Sequence, residues 1–283
     1  MIKIVADTTC NLPDDILTQY DIRLAPISIQ FGDETFEEGI NIDRAAFYAK
    51  IDELGMMPKT SQPPPAWFAQ HFRELHAQGH SILVITITRK HSGTYDSAVL
   101  AKSMVPEAEI EVFDSASISL GTGWMILEAA RAIERGLSMD SILERLRTIR
   151  EQARLFLTPA TLKYLQMSGR VGRLQGAIAS LLSVKPIIAL KDGVLEAGQK
   201  VRTRSKALNR LLELIAEAFG DTPINLAVIH ARVAEEGNHL LERARGMFNI
   251  REFMIGDLVA SLAVHGGPGV IGLFAYPAED LPA

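Results

Sequence analysis

The run Ile82-Leu83-Val84-Ile85-Thr86-Ile87-Thr88-Arg89-Lys90-His91-Ser92-Gly93-Thr94-Tyr95 decides the fold class. Its first residues form a short, unbroken apolar stretch rich in β-branched side chains, the signature of a strand buried on both faces. From Gly93 to about Met104 the spacing turns helical. A buried strand that feeds a helix through a short polar turn is one step of a parallel α/β sheet. Ligands of such sheets lie at the carboxyl ends of the strands, where Ser92-Gly93-Thr94-Tyr95 falls. Ser92 sits where a helix N-cap belongs, and Gly93 lets a ligand approach the backbone. Helix N-termini offer unpaired N–H groups and partial positive charge to an anion. The simpler account of Ser92 is that it only caps the helix.

The same alternation extends outward. Residues 2–6, 22–30, 82–86 and 110–113 read as buried strands, and residues 14–20, 43–54, 66–78 and 93–104 as helices between them. A long helix follows over 119–135, and another begins after Ser138. Beyond a boundary near Arg154 the texture changes. Residues 155–158, 185–190, 194–200, 225–230, 251–255 and 270–276 look strand-like, and a helix over 203–219 carries Leu208, Leu211, Leu212, Ile215 and Phe219 at helical spacing. Lys191-Asp192-Gly193 carries an Asp-Gly hairpin signal, so the second sheet is expected to be mixed. The expectation is two α/β domains, 1–154 and 155–283.

Composition narrows the classes. A chain of 283 residues, 47% hydrophobic and 22% charged, has ample core and no sign of disorder. The net charge of −5 argues against nucleic acid, although the stretch from Lys163 to Lys206 is rich in Lys and Arg. The single cysteine, Cys10, excludes an internal disulfide and any CxxC zinc set, which suits a reducing compartment. No signal peptide is read at the start, and no apolar run is long enough to span a bilayer. A cytoplasmic protein without an integral membrane segment is expected.

Several short segments could carry chemistry. Lys59-Thr60-Ser61-Gln62-Pro63 sets two hydroxyls side by side before a stiff turn. Thr60 can donate to the same anion as Ser92, or it can cap the helix that starts near Pro65. Two hydroxyl loops suit a carboxylate, whereas phosphate calls for a lysine or several glycines. Ser119-Leu120-Gly121-Thr122-Gly123 lacks the third glycine of a dinucleotide fingerprint and reads as a close-packing turn beside a ligand crevice. Gly267 to Gly272 matches GxGxxG formally, but a strand-like run follows and Pro268 interrupts it, so the nucleotide reading is discarded. His265, beside those glycines, can donate a hydrogen bond into a cleft or serve structure alone.

Ser168-Gly169-Arg170-Val171-Gly172-Arg173 places two guanidinium groups on a glycine-rich turn, fit for an acidic or phosphate-bearing partner or for simple solvation. There is no GxSxG, no HExxH, and no evident local partner for Cys10 or for Asp7 at the end of the first strand. Neither catalytic residues nor metal ligands are expected.

Taken together and in order, these segments resemble the DegV family of bacterial fatty-acid-binding proteins along nearly the whole chain. The matching pieces are Asp7-Thr8-Thr9 with Asn11-Leu12-Pro13, Pro58-Lys59-Thr60-Ser61-Gln62-Pro63, and Ser92-Gly93-Thr94-Tyr95. They continue with Asp114-Ser115, Ser119-Leu120-Gly121, Leu165 to Arg170, Lys185-Pro186 and His265-Gly266-Gly267-Pro268-Gly269. The resemblance implies a three-layer α/β/α domain with a parallel sheet, then a two-layer α/β domain with a mixed sheet and a ligand tunnel between them.

It further implies that Thr60 and Ser92 hold the carboxylate of a long-chain fatty acid of the palmitate, stearate or oleate class. Ser61, Gly93, Thr94, Ser119 and His265 would support the head group. An ATP-dependent fatty-acid kinase would phosphorylate the presented acid, with Arg170, Arg173 and His265 as docking candidates, and no cofactor is implied. The sequence departs from the family pattern where Thr88-Arg89-Lys90-His91 replaces a run like Ser-Ser-Gly-Leu, and where HGGPG replaces the commoner HTGPG.

Burial of ~14 methylenes at roughly 0.8 kcal/mol each supplies on the order of 10 kcal/mol before binding costs. The carboxylate needs charge-assisted hydrogen bonds to offset its desolvation. A stand-alone hydrolase or phosphotransferase using Asp7, Ser92 or His265, and an acyl-lipid-sensing regulatory module, are the competing readings.

Overall fold

Residues 1–171, 173–174 and 184–279 are described in the structure, a computed structural model. In the first unit the elements run β1 (Ile2–Asp7), α1 (Asp14–Gln19), β2 (Arg23–Ala25), β3 (Ser28–Phe31), β4 (Glu34–Glu37), α2 (Arg44–Leu54), β5 (Lys59–Ser61), α3 (Pro65–Ala77), β6 (Ser81–Thr86), α4 (Thr94–Ser103), β7 (Ile110–Asp114), α5 (Leu120–Glu134) and α6 (Met139–Gln152). Four strands form a parallel sheet in the order β2-β1-β6-β7. Side chains alternate across it, and both faces are covered. Val5, Ile82, Val84 and Ile110 pack beneath α3 and α4 with Phe68, Phe72, Leu75 and Ala101. Leu83 and Ile85, of opposite parity, are also fully buried, and α5 packs on β1 and β6. These are the three layers that the alternation predicts.

Nearly every side of α5 is apolar and buried, the profile of a core helix. Gly123 within it makes a close approach possible, because a Cβ there would stand 2.6 Å from the carbonyl oxygen of Cys10. Gly123, read from sequence as part of a close-packing turn, therefore sets this helix against the short 3₁₀ turn Thr8–Cys10.

One expected strand is two. Residues 22–30 break at Pro26, which has no N–H to continue a ladder. Arg23–Ala25 joins the parallel sheet, while Ser28–Phe31 opens a separate antiparallel sheet of order β4-β3-β5. The Thr60 segment, expected as a loop, is strand β5 of that small sheet.

The second unit contains β8 (Arg154–Thr158), α7 (Lys163–Met167), β9 (Lys185–Lys191), β10 (Val194–Val201), α8 (Arg204–Phe219), β11 (Ile224–His230), α9 (Ala234–Arg245), β12 (Ile250–Asp257) and β13 (Ile271–Pro277), and the helix between the last two strands, α10 (Ala260–Gly266), belongs mostly to the first unit. The six-stranded sheet of the second unit has the order β10-β9-β8-β13-β11-β12 and is mixed. Among the described residues of this sheet, only β11 and β12 pair in parallel. The hairpin between β9 and β10 turns through Asp192 and Gly193, both at positive φ, as an Asp-Gly turn requires. Leu211, Leu212 and Ile215 of α8 and Leu240, Leu241 and Ala244 of α9 bury one sheet face with Leu226, Val228 and Leu273.

The division between the units differs from the expected 154/155. It falls at Arg147/Thr148, within α6, and the short segment Val259–Val264 belongs to the first unit. Hydrogen bonds explain that return. The backbone N–H of Val259 donates to Asn11 Oδ1 at 2.9 Å, and Ser261 is bonded twice to Glu38. No described helix is long and apolar enough to cross a membrane.

Positive φ and crowding meet at Gly267. It has φ +71°, and an added Cβ would fall 2.0 Å from the Tyr164 ring. Gly136 has φ +77° with open space around it. Gly136→Ala is expected to cost about 1 kcal/mol through backbone strain alone. Gly267→Ala is expected to cost roughly 3 kcal/mol or more, strain and overpacking combined. Urea unfolding of the two variants side by side checks the difference.

Candidate functional site

The candidate site grows from the carboxyl ends of β1 and β6. At the end of β1, Asp7 is 1% exposed and accepts three hydrogen bonds. Its Oδ1 takes Thr9 N at 3.0 Å and the Thr9 hydroxyl, and its Oδ2 takes Ile87 N at 2.9 Å. Ile87 is the first residue beyond β6, so this bond pins the root of the loop that reaches Ser92.

The loop is stiffened further along. Thr88, wholly buried, donates its N–H to Ser117 O at 2.9 Å and accepts from Lys90 N at 3.3 Å. Arg89 N donates to Asp114 Oδ1 at 3.2 Å. The Arg89 guanidinium lies over the Tyr95 ring at 4.7 Å and pairs with Asp96 at 3.3 Å. The first cation of the run beside Ser92 is therefore directed at α4.

Ser92 is half-buried and does not occupy the N-cap, which is Gly93. Its Oγ lies 2.8 Å from Thr94 Oγ1 and 3.3 Å from Thr94 N. Thr94 is buried, while Ser92 and Gly93 keep partial exposure. The simple capping account is thus only partly met, since the hydroxyl reaches the first helical N–H from one position upstream.

The second arm is β5. Thr60 pairs with Ile29 and Ser61 with Ser28 across the small antiparallel sheet. Thr60 is half-buried and Ser61 exposed. Thr60 does not cap α3, whose N-cap is Pro64 with Pro65 at the first helical position. The two arms meet through Gln62. Its amide nitrogen lies 2.9 Å from where a Cβ on Gly93 would stand. The end of the Gln62 side chain thus lies against Gly93 and bridges the Thr60-Ser61-Gln62 arm to the Ser92 arm.

A second buried carboxylate backs this arrangement. Glu38, one residue past β4, is 6% exposed. Its Oε2 accepts from the hydroxyls of Thr8 and Ser261, each at 2.6 Å, and its Oε1 accepts from Ser261 N at 2.7 Å. Thr8 Oγ1 in turn accepts from Ile27 N at 3.1 Å. Burial pushes the carboxyls of both Asp7 and Glu38 above the ordinary range, outweighing the donors that favour the ionised form. Burial likewise pushes the Cys10 thiol up to about 12, with the Asp7 and Glu38 charges adding to the effect, so the thiol is inert.

Ser119 is buried at the entry to α5, with φ 52° and ψ −139°, a region costly for any residue with a side chain. Among the described residues its hydroxyl has no hydrogen-bond partner. The remaining candidates lie in the second unit. His265, half-buried, ends α10 ahead of the glycine turn. Arg170 turns back on Ser168 O at 2.5 Å, and Arg173 pairs with Glu196. Gly172, between the two arginines, lies outside the described residues.

Sequence reading named the two hydroxyl arms and Asp7, but missed Glu38, Ser261 and Gln62. Glu38 follows Glu34 and Glu37 in an acidic stretch, where nothing marks one carboxylate as buried. Ser261 lies 223 residues from its partner. Gln62 was quoted only as part of a motif.

The sequence model described as "Uncharacterised protein, DegV family" matches residues 1–278. The chain belongs to the DegV family. It is 33% identical to Protein DegV of Bacillus subtilis over 274 residues, 96% of this chain and 98% of that one. Among solved DegV-like structures, a protein of Thermus thermophilus described by its fatty-acid binding is 30% identical, with a TM-score of 0.90 over 98% of this chain and 99% of the other. A stearic-acid-binding protein of Eubacterium ventriosum is 31% identical, with a TM-score of 0.91 and 98% coverage of both chains. Bacillus subtilis DegV, described as a fatty-acid-binding protein, is 32% identical with a TM-score of 0.90 over 98% and 99% of the two chains.

The raised carboxyl of Glu38 has a pH signature. A group whose pKa is higher in the fold contributes stability that is full below its ordinary value, here 4.5, and lost as pH rises through the raised value. Glu38→Gln cannot ionise and lacks that component. The stability of the natural protein relative to Glu38→Gln is therefore expected to fall as pH is raised from about 4 to about 8. Chemical unfolding of both proteins across that range checks the sign, and a difference that grows with pH contradicts it.

Proposed function

We propose that this DegV-family protein is a carrier that encloses one long-chain fatty acid, with the carboxylate on the hydroxyls of Thr60 and Ser92. The observation that carries this reading is the closure of the two hydroxyl arms on each other through Gln62 and Gly93. The Ser92 arm stands at the carboxyl edge of a parallel α/β sheet, the place where such sheets take ligands, and the Thr60 arm reaches it from the small antiparallel sheet. Solved relatives at 30–32% identity, described as fatty-acid-binding, support the ligand class. Hydroxyl donors beside a helix N-terminus can neutralise a carboxylate without a buried counter-ion. Ser61, Gly93, Thr94, Ser119 and His265 support the head group on this reading, and the acyl chain occupies an apolar tunnel.

The carrier reading is favoured over a stand-alone hydrolase or phosphotransferase for one specific reason. Asp7, the best-placed acid–base group in the sequence, already accepts three internal hydrogen bonds and is closed off from solvent. On this reading any chemistry on the bound acid belongs to a partner. An ATP-dependent fatty-acid kinase that phosphorylates the presented carboxylate fits this arrangement, with Arg170, Arg173 and His265 on the docking side.

Lipid extracted from the purified protein is expected to contain one fatty acid per chain by mass spectrometry. The Thr60→Ala, Ser92→Ala double variant is expected to keep its far-ultraviolet circular dichroism and bind oleate on the order of 100-fold more weakly, two charge-assisted hydrogen bonds being lost. Unchanged oleate affinity in the folded double variant would sink the head-group assignment. Arg170→Ala with Arg173→Ala is expected to leave oleate affinity within about twofold while slowing phosphorylation of bound oleate by the kinase, since rim charges act mainly on encounter. Equal phosphorylation rates would remove those arginines from the docking face.

A further inference from the structure

Thr60 and Ser92 stand on different pieces of framework, one on the small antiparallel sheet and the other on the loop after β6. Something must hold those pieces in register if two hydroxyls are to meet one carboxylate. The buried network behind them has the right connections. Asp7 closes the distance between the end of β1 and the backbone of Ile87, at the root of the Ser92 loop. The next residue, Thr8, takes the N–H of Ile27 and gives its own proton to Glu38.

Glu38 also gives its backbone N–H to Ile27 O at 3.0 Å. Ile27 immediately precedes β3, and β3 carries β5 with Thr60 in register on Ile29. One chain of bonds thus runs from the Ser92 loop through Asp7, the backbone of β1, Thr8 and Glu38 to the root of β3, the strand on which Thr60 of β5 is paired.

We propose that Glu38, acting through Thr8, is a positioning residue for the carboxylate-binding hydroxyls, and that the preference of the protein for a fatty acid over an uncharged lipid depends on it. A carboxylate suits this task because it only accepts. Three donors from two distant segments converge on Glu38, and each fixes a direction as well as a distance. Glutamine in its place has one acceptor oxygen, and its amide must donate where a hydroxyl now donates. Thr8, already accepting from Ile27, would then have to reverse its bond. The link would loosen by a fraction of an ångström with little change in volume. Contacts along the acyl chain do not need that accuracy, whereas hydrogen bonds to a carboxylate do. The inference rests on the reading of Thr60 and Ser92 as the head-group site.

The test compares two ligands of equal length, oleic acid and oleyl alcohol, by calorimetry or by displacement of a fluorescent lipid. Glu38→Gln and Thr8→Val are each expected to weaken oleate roughly tenfold while changing oleyl alcohol by less than about twofold. The Thr8→Val, Glu38→Gln double variant should be no weaker than either alone, because both cut the same link. Ser261→Ala removes a donor to Glu38 but spares Thr8, and should leave the acid-over-alcohol ratio unchanged. If Glu38→Gln fails to fold, Thr8→Val carries the test, since it leaves both Ser261 bonds in place.

A parallel loss for acid and alcohol would reduce Glu38 to a general structural role and overturn the proposal. So would an unchanged ratio in Thr8→Val. The Thr60→Ala, Ser92→Ala protein separates the two failures. If it too keeps the natural ratio, the head-group reading itself is wrong. If it loses the ratio while Glu38→Gln and Thr8→Val keep it, the positioning inference fails alone.

Discussion

Two carboxylates, Asp7 and Glu38, lie buried with no cation bonded to either among the described hydrogen bonds, and each is held only by neutral donors. Burying such groups is costly, and both carboxyls respond with raised pKa values. What the cost secures is geometry. Asp7 ties the parallel sheet to the loop after β6, and Glu38 ties the small antiparallel sheet and the returning segment Val259–Val264 to the turn after β1. An apolar pair could fill the same space, but it could not fix the direction of three donors at once. The first unit draws its chain from two distant stretches of sequence, and these bonds hold them together.

The proposed head-group site uses the framework economically. It places the Ser92 hydroxyl where a strand end and a helix start concentrate N–H groups, with Thr60 coming from a neighbouring sheet, so an anion needs no buried lysine or arginine. The cations nearest in sequence follow that division. Arg89 lies over Tyr95 and pairs with Asp96 on α4, so its charge is partly neutralised before it could reach a ligand. Arg89 and Lys90 thus occupy the outer face of the loop, while the buried bonds of Thr88 hold its inner course.

Glycines divide into those that serve the backbone and those that make room. Gly193 supplies the positive φ of a hairpin turn. Gly93 has an ordinary φ of −79°, and the movable end of the Gln62 side chain occupies the space beside it. Gly123 is of the same kind and brings α5 against Cys10. Only the second kind bears on how the candidate site closes, and a sequence alone does not tell the two apart.

Local patterning determined a large part of this protein. Apolar runs of strand length separated by helical spacing led to two α/β units and an Asp-Gly step to the β9–β10 hairpin, while hydroxyl-bearing segments stood out at Ser92 and at Thr60, the latter read as a loop and found as strand β5. Each of those is a short-range property, decided by neighbours within a few residues. The tertiary structure alone decided the rest. Pro26 divides one apolar run between two sheets, because a residue without an N–H cannot carry the ladder onward. Val259–Val264 crosses back to the first unit, and Glu38, one acid among several in its stretch, becomes the buried one. The last two outcomes depend on partners more than two hundred residues apart, and burial of a charge is decided by who its partners are, not by the residues beside it.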